Sequence, residues 1–67
     1  MTETDSLLST LSAAAYIGMT PGTLRAWRKQ GTGPAYVKTG DDDRAAVRYR
    51  RSDLDRWLDD RTVRPVR

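Results

Sequence analysis

Apolar positions along the chain follow two different periods. Ala13, Ala14 and Ile17 recur at helical spacing, and after a break at Gly18 so do Leu24 and Trp27. Repeats of three and four mark one buried face of a helix, so two short helices are predicted, from Thr10 to Ile17 and from Pro21 to Gln30. Ser9 is placed to cap the first, with Leu8 packing on Ala13 as a hydrophobic staple. Thr20 caps the second, and Pro21 stands at its first position, where a missing N–H costs nothing. Gly18 and Gly31 end the two helices.

Beyond the turn cluster Gly31-Thr32-Gly33-Pro34 the period changes to two. Ala35 to Thr39 and Ala46 to Arg50 read as the strands of a hairpin, with Gly40 to Ala45 as its tip. Strict alternation turns Val37, Val47 and Tyr49 inward and Tyr36, Lys38, Arg48 and Arg50 outward. Tyr36 stays open between packing on Pro34 and pointing toward a sugar-phosphate. Helical spacing returns at Leu54, Trp57 and Leu58, with Ser52 as cap and Asp53 and Asp55 in the first turn. The fold class is mainly α with a small β-hairpin, in one domain over 8–60. A flexible arm over 1–7 precedes it, and a basic tail over 61–67 follows.

The first two helices carry a further signal. Ala14 allows close approach of two backbones, and Gly18, four residues on, permits a sharp reversal. This is helix-turn-helix spacing, in which the second helix lies in the major groove of DNA. Charge agrees with it. Net charge is only +3, but between Thr20 and Gly40 stand Arg25, Arg28, Lys29 and Lys38 with no acid. A segregated basic face points to a polyanionic partner.

Other chemistry is scarce. The 67 residues hold neither Cys nor His, which excludes thiol catalysis, disulfides and zinc held by those ligands. No acid–base pair falls in a credible cleft, so no enzyme, cofactor, metal or small-molecule ligand is expected. No apolar run has the length of a signal peptide or a membrane span. The expectation is an intracellular, cytoplasmic protein.

Three segments together resemble a known family: ThrProGlyThrLeuArgAlaTrpArg, TyrValLysThrGly, and ValArgTyrArgArgSerAspLeuAspArgTrpLeu. Over residues 8 to 60 the chain is similar to the small winged helix-turn-helix proteins related to MerR-type DNA-binding domains, and among them to phage excisionases. The resemblance implies binding to double-stranded DNA beside a phage attachment site, in several copies. It also implies bending of that DNA and the steering of a tyrosine integrase toward excision. A small transcriptional repressor of the same fold is the alternative, and a protein-interaction adaptor the third. Relatives carry a short basic wing tip, whereas here Asp41-Asp42-Asp43 precede Arg44, and carboxylates pressed on phosphates are repelled.

Arg25 and Lys29 lie on the side of the second helix away from Leu24 and Trp27, with Arg28 and Thr23 flanking them. Arg25 is the candidate base reader, through guanine O6 and N7. Gly22 removes a side chain where a backbone could approach DNA, and the Thr20–Pro21 helix start offers N–H groups to a phosphate. Lys38, Arg48 and Arg50 are expected as phosphate clamps, with Arg44 or Arg48 reaching a minor groove. Trp27 and Trp57 are assigned to the core. Asp41, Asp42 and Asp43 read as a solvated loop or as a contact to the next copy on DNA, with a metal site disfavoured because three adjacent side chains cannot all point one way.

Overall fold

The computed structural model describes residues 5–42 and 45–66. Along the chain come β1 (Leu7–Leu8), α1 (Thr10–Ile17), α2 (Pro21–Gln30), β2 (Val37–Lys38), β3 (Val47–Arg50) and α3 (Arg51–Asp60). Three helices and a small antiparallel sheet in the order β1-β3-β2 make a winged helix-turn-helix fold.

Local chemistry sets the helix pair. The Ser9 hydroxyl accepts from the Ser12 N–H at 3.1 Å, and Thr20 Oγ1 accepts from the Thr23 N–H at 3.2 Å. Gly18 and Gly31 both take the left-handed conformation at the helix C-termini, with φ near +76° and +75°. There glycine avoids the clash of a Cβ with the backbone. Ala13, Ala14 and Ile17 of α1 and Leu24 of α2 are buried together with Tyr49 and Leu54, which draws both helices onto β3 and α3. Leu8 packs against this cluster, as the staple requires.

Residues 5 to 8 depart from the arm expected over 1–7. Leu7 pairs with Arg50 and Leu8 with Tyr49, adding a third strand beside the hairpin. The Ser6 carbonyl accepts from the Arg51 N–H at 2.9 Å, and Asp5 accepts from both the N–H and the hydroxyl of Ser52. These bonds explain a second correction. Because β3 runs directly into α3, the helix starts at Arg51, and its N-cap is Arg50, which offers no side-chain acceptor. Ser52 therefore sits inside the first turn, and the N–H groups there are satisfied from the chain's other end. Asp55 is likewise not a first-turn acid: it accepts the Tyr16 hydroxyl and ties α3 to α1.

Sheet register overturns part of the alternation. Val37 stands opposite Arg48, and Lys38 opposite Val47. Directly opposed residues share a face, so Lys38 lies with Val47 and Tyr49 on the helix side, and Val37 lies with Arg48, Arg50 and Leu7 on the outer side. The regular part of β2 is only Val37–Lys38, too short for alternation to fix its facing. The tryptophans are half-buried rather than central. Their rings meet at 5.3 Å, tilted by 41°, and pack on the edge of the core. Arg61 lies over Trp57 at 4.3 Å, and Arg64 pairs with Asp59 at 3.7 Å, so part of the basic tail folds back on α3.

Gly33 has two reasons to be glycine. Its φ is +87°, and a Cβ there would come within 2.8 Å of the Trp27 ring. Gly33→Ala is expected to destabilise the domain by about 1–3 kcal/mol, read as a lower thermal midpoint. Asp5 supplies a second test. The hydrogen bond from the Ser52 hydroxyl holds its carboxyl below the ordinary value of 3.8. A depressed carboxyl stabilises the fold above its unfolded pKa and loses that contribution as pH falls through the folded value. Acid titration should therefore release residues 5–8 from α3 below pH ~4, seen as loss of hydrogen-exchange protection at Ser52 that Asp5→Asn already shows at neutral pH.

Candidate nucleic-acid interface

Between α2 and the wing runs an open groove of about 820 Å³. Arg25, Arg28 and Lys29 enter it from α2 and Lys38 from β2, with Tyr36, Ala26, Ala45 and Val47 completing the described lining. Four cations and no carboxylate stand among those described lining residues. Arg25 and Lys29 are exposed one helical turn apart, on the side away from buried Leu24, as their spacing predicts.

Arg28 behaves differently from its neighbours. It is half-buried, and its Nη1 donates to the Tyr49 hydroxyl at 2.8 Å and to Thr10 Oγ1 at 3.3 Å. Its guanidinium carbon lies 5.8 Å from the centre of the Tyr36 ring. One cation thus joins α1, α2 and the sheet while standing at the groove wall. Its described hydrogen-bond partners are hydroxyls, so its positive charge is left for the groove.

At the start of α2, the Thr20 and Thr23 hydroxyls hydrogen bond to each other at 3.0 Å, which fixes both at the open end of the helix. Gly22, between them, is exposed, and a Cβ there would meet only the Thr20 hydroxyl oxygen at 3.9 Å. Nothing inside the fold requires a glycine at this position.

The wing divides its predicted cations. Lys38 joins the groove, whereas Arg48 and Arg50 lie on the opposite sheet face and do not. Arg48 turns Nη1 onto the Val47 carbonyl at 2.9 Å, and Arg50 pairs with Asp53 at 3.6 Å. The wing is closed by Thr39, which exchanges hydrogen bonds with Ala46, and by the Ala45 N–H donating to the Asp42 carbonyl at 3.1 Å. Asp41 and Asp42 are exposed beside that closure, while Asp43 and Arg44 lie outside the described residues. Tyr36, which alternation turned outward, lines the groove instead, between the Arg28 guanidinium and the Tyr49 ring.

A family model described as a helix-turn-helix domain matches residues 7–62. The chain belongs to this family, which includes excisionase-like DNA-binding proteins, and the membership indicates DNA binding. No curated protein and no solved structure matches the chain. Among the described residues, no helix is long and apolar enough to cross a membrane, and no group of acids is placed to hold a metal ion.

Gly22 separates folding from binding. Glycine inside a helix costs about 0.5–1 kcal/mol relative to alanine, so Gly22→Ala should leave the thermal midpoint unchanged or raise it. The same change should weaken duplex binding, because a methyl group then stands where the helix start meets DNA. A binding titration beside a melting curve checks both halves.

Proposed function

We propose that this protein is a sequence-specific architectural DNA-binding factor that acts near phage attachment sites and directs a tyrosine integrase toward excision. The observation that carries the DNA half is a groove whose described lining holds no acid and in which the open cations of α2 and Lys38 of the wing converge. The recombination half is supported by the resemblance described above and by membership of a family that includes excisionase-like proteins. No catalytic role is assigned to any residue.

In this reading α2 enters the major groove. Arg25 reads a base edge, Lys29 lies beside it, and Lys38 holds the flanking backbone. Arg28 joins them from the groove wall, and the Thr20–Thr23 helix start meets a phosphate. Arg48 and Arg50 have no part in this contact, because the register places them on the far face.

A single module of this scale buries about 600–1,000 Å² of protein surface on DNA. Affinity then comes from neighbouring copies, or from a tethered integrase that raises effective concentration. Several copies along the duplex bend it at a cost that depends on bases none of them touches. The carboxylate of Asp41 is exposed at the wing tip and could meet the basic surface of the next copy.

The test is gel shift and footprinting on the attachment site of the source genome, with and without integrase. Several adjacent protected sites and a bend are expected. Arg25→Ala should lower specific affinity about 10- to 100-fold, the weight of one lost bidentate base contact, without moving the melting curve. A single protected operator over a promoter would make the protein a repressor instead. Absence of salt-sensitive duplex binding would leave only an adaptor role.

A further inference from the structure

The sequence leaves Tyr36 open between packing on Pro34 and pointing toward a sugar-phosphate, and its surroundings in the fold are those of a contact residue. Its ring is held from two sides, by the Tyr49 ring at 6.0 Å and a 51° tilt, and by the Arg28 guanidinium at 5.8 Å. Its side chain is still 40% exposed, and it lines the groove next to Lys38. Among the described residues its hydroxyl has no hydrogen-bond partner, in contrast to Tyr16 and Tyr49, whose hydroxyls are bonded within the fold.

We infer that Tyr36 is a DNA-backbone contact whose hydroxyl donates to a phosphate oxygen seated between Arg28 and Lys38. The inference rests on the DNA-binding reading and adds to it a neutral donor. Tyr36 directly precedes β2 and lines the groove together with Lys38, so both side chains lie on the side of α2. A phosphate in that corner meets a cation from the helix, a cation from the wing and a hydroxyl between them. Arg28 enters it already oriented by Tyr49 and Thr10, and Tyr36 already stacked, so little side-chain freedom is lost on binding.

The distinguishing property is charge. A neutral donor adds affinity but releases no counterion, whereas each cation on a phosphate contributes about 0.9 to the slope of log affinity against log salt. The probe is a fluorescein-labelled duplex of mixed sequence, titrated at several salt concentrations with wild type, Tyr36→Phe and Lys38→Ala. Tyr36→Phe keeps the ring and its packing, and a melting curve verifies the fold.

Tyr36→Phe is expected to bind about tenfold more weakly, the effect of one hydrogen bond to a charged acceptor, with the wild-type salt slope. Lys38→Ala is expected to lose affinity and about 0.9 of slope. Tyr36→Phe binding within twofold of wild type, while Lys38→Ala is impaired, would overturn the inference and leave the DNA reading standing. A wild-type protein with no affinity for the duplex at low salt would overturn both.

Discussion

The hydrogen bond from Arg28 to the Tyr49 hydroxyl fixes where the recognition helix stands relative to the wing. The backbone of α2 packs closely on α1, but it meets the sheet and α3 chiefly through side chains. Leu24 in the core, Arg28 on Tyr49 and Trp27 against Trp57 span that gap. Tyr49 suits the task because its ring is almost fully buried among Ala13, Ala14, Leu24 and Leu54, while its hydroxyl reaches the groove wall. A tyrosine in a core needs a partner for that hydroxyl. Here the partner is a cation of the binding surface, so one bond serves both the core and the interface.

Two consequences follow for the electrostatics. Among the described residues the groove collects cations from separate elements without an opposing acid, and that repulsion is held in place by the packing behind it. The outer face of the sheet is balanced differently, because Arg50 has Asp53 beside it and Arg48 turns onto a backbone carbonyl. Exposed pairs of this kind contribute little to stability. They do reduce the field on that side. On the proposed reading, the cations of the groove steer a duplex toward it.

Much of this was legible in the residues. Caps and glycines marked α1 and α2 to the residue, since Ser9, Gly18, Thr20, Pro21 and Gly31 each do a local job that local sequence can announce. The open cations Arg25 and Lys29 followed from helical spacing alone. What failed was set by partners far along the chain. Asp5 and Ser52 are 47 positions apart, and neither the pairing of Leu7 with Arg50 nor the start of α3 at Arg51 leaves a trace in local pattern. The facing of β2 failed for a related reason: with two paired residues, register is imposed by β3 and the turn at Gly33, not by alternation within the strand. That single reversal exchanged Val37 for Lys38 and thereby moved a cation into the groove.

The two glycines flanking the interface show how the same residue can answer different demands. At Gly33 the demand is internal, because the Trp27 ring occupies the space of a side chain and the backbone is left-handed. At Gly22 the surrounding space is open and the helix would gain from alanine, so no internal contact accounts for it. A residue that the fold does not need, at the exposed start of the helix carrying the groove cations, fits the proposed contact with DNA at that end. A core this small leaves little surplus stability. A helix position that gives some of it up therefore argues for a close approach of backbone to DNA at the same end of α2 where Thr20 and Thr23 are locked together.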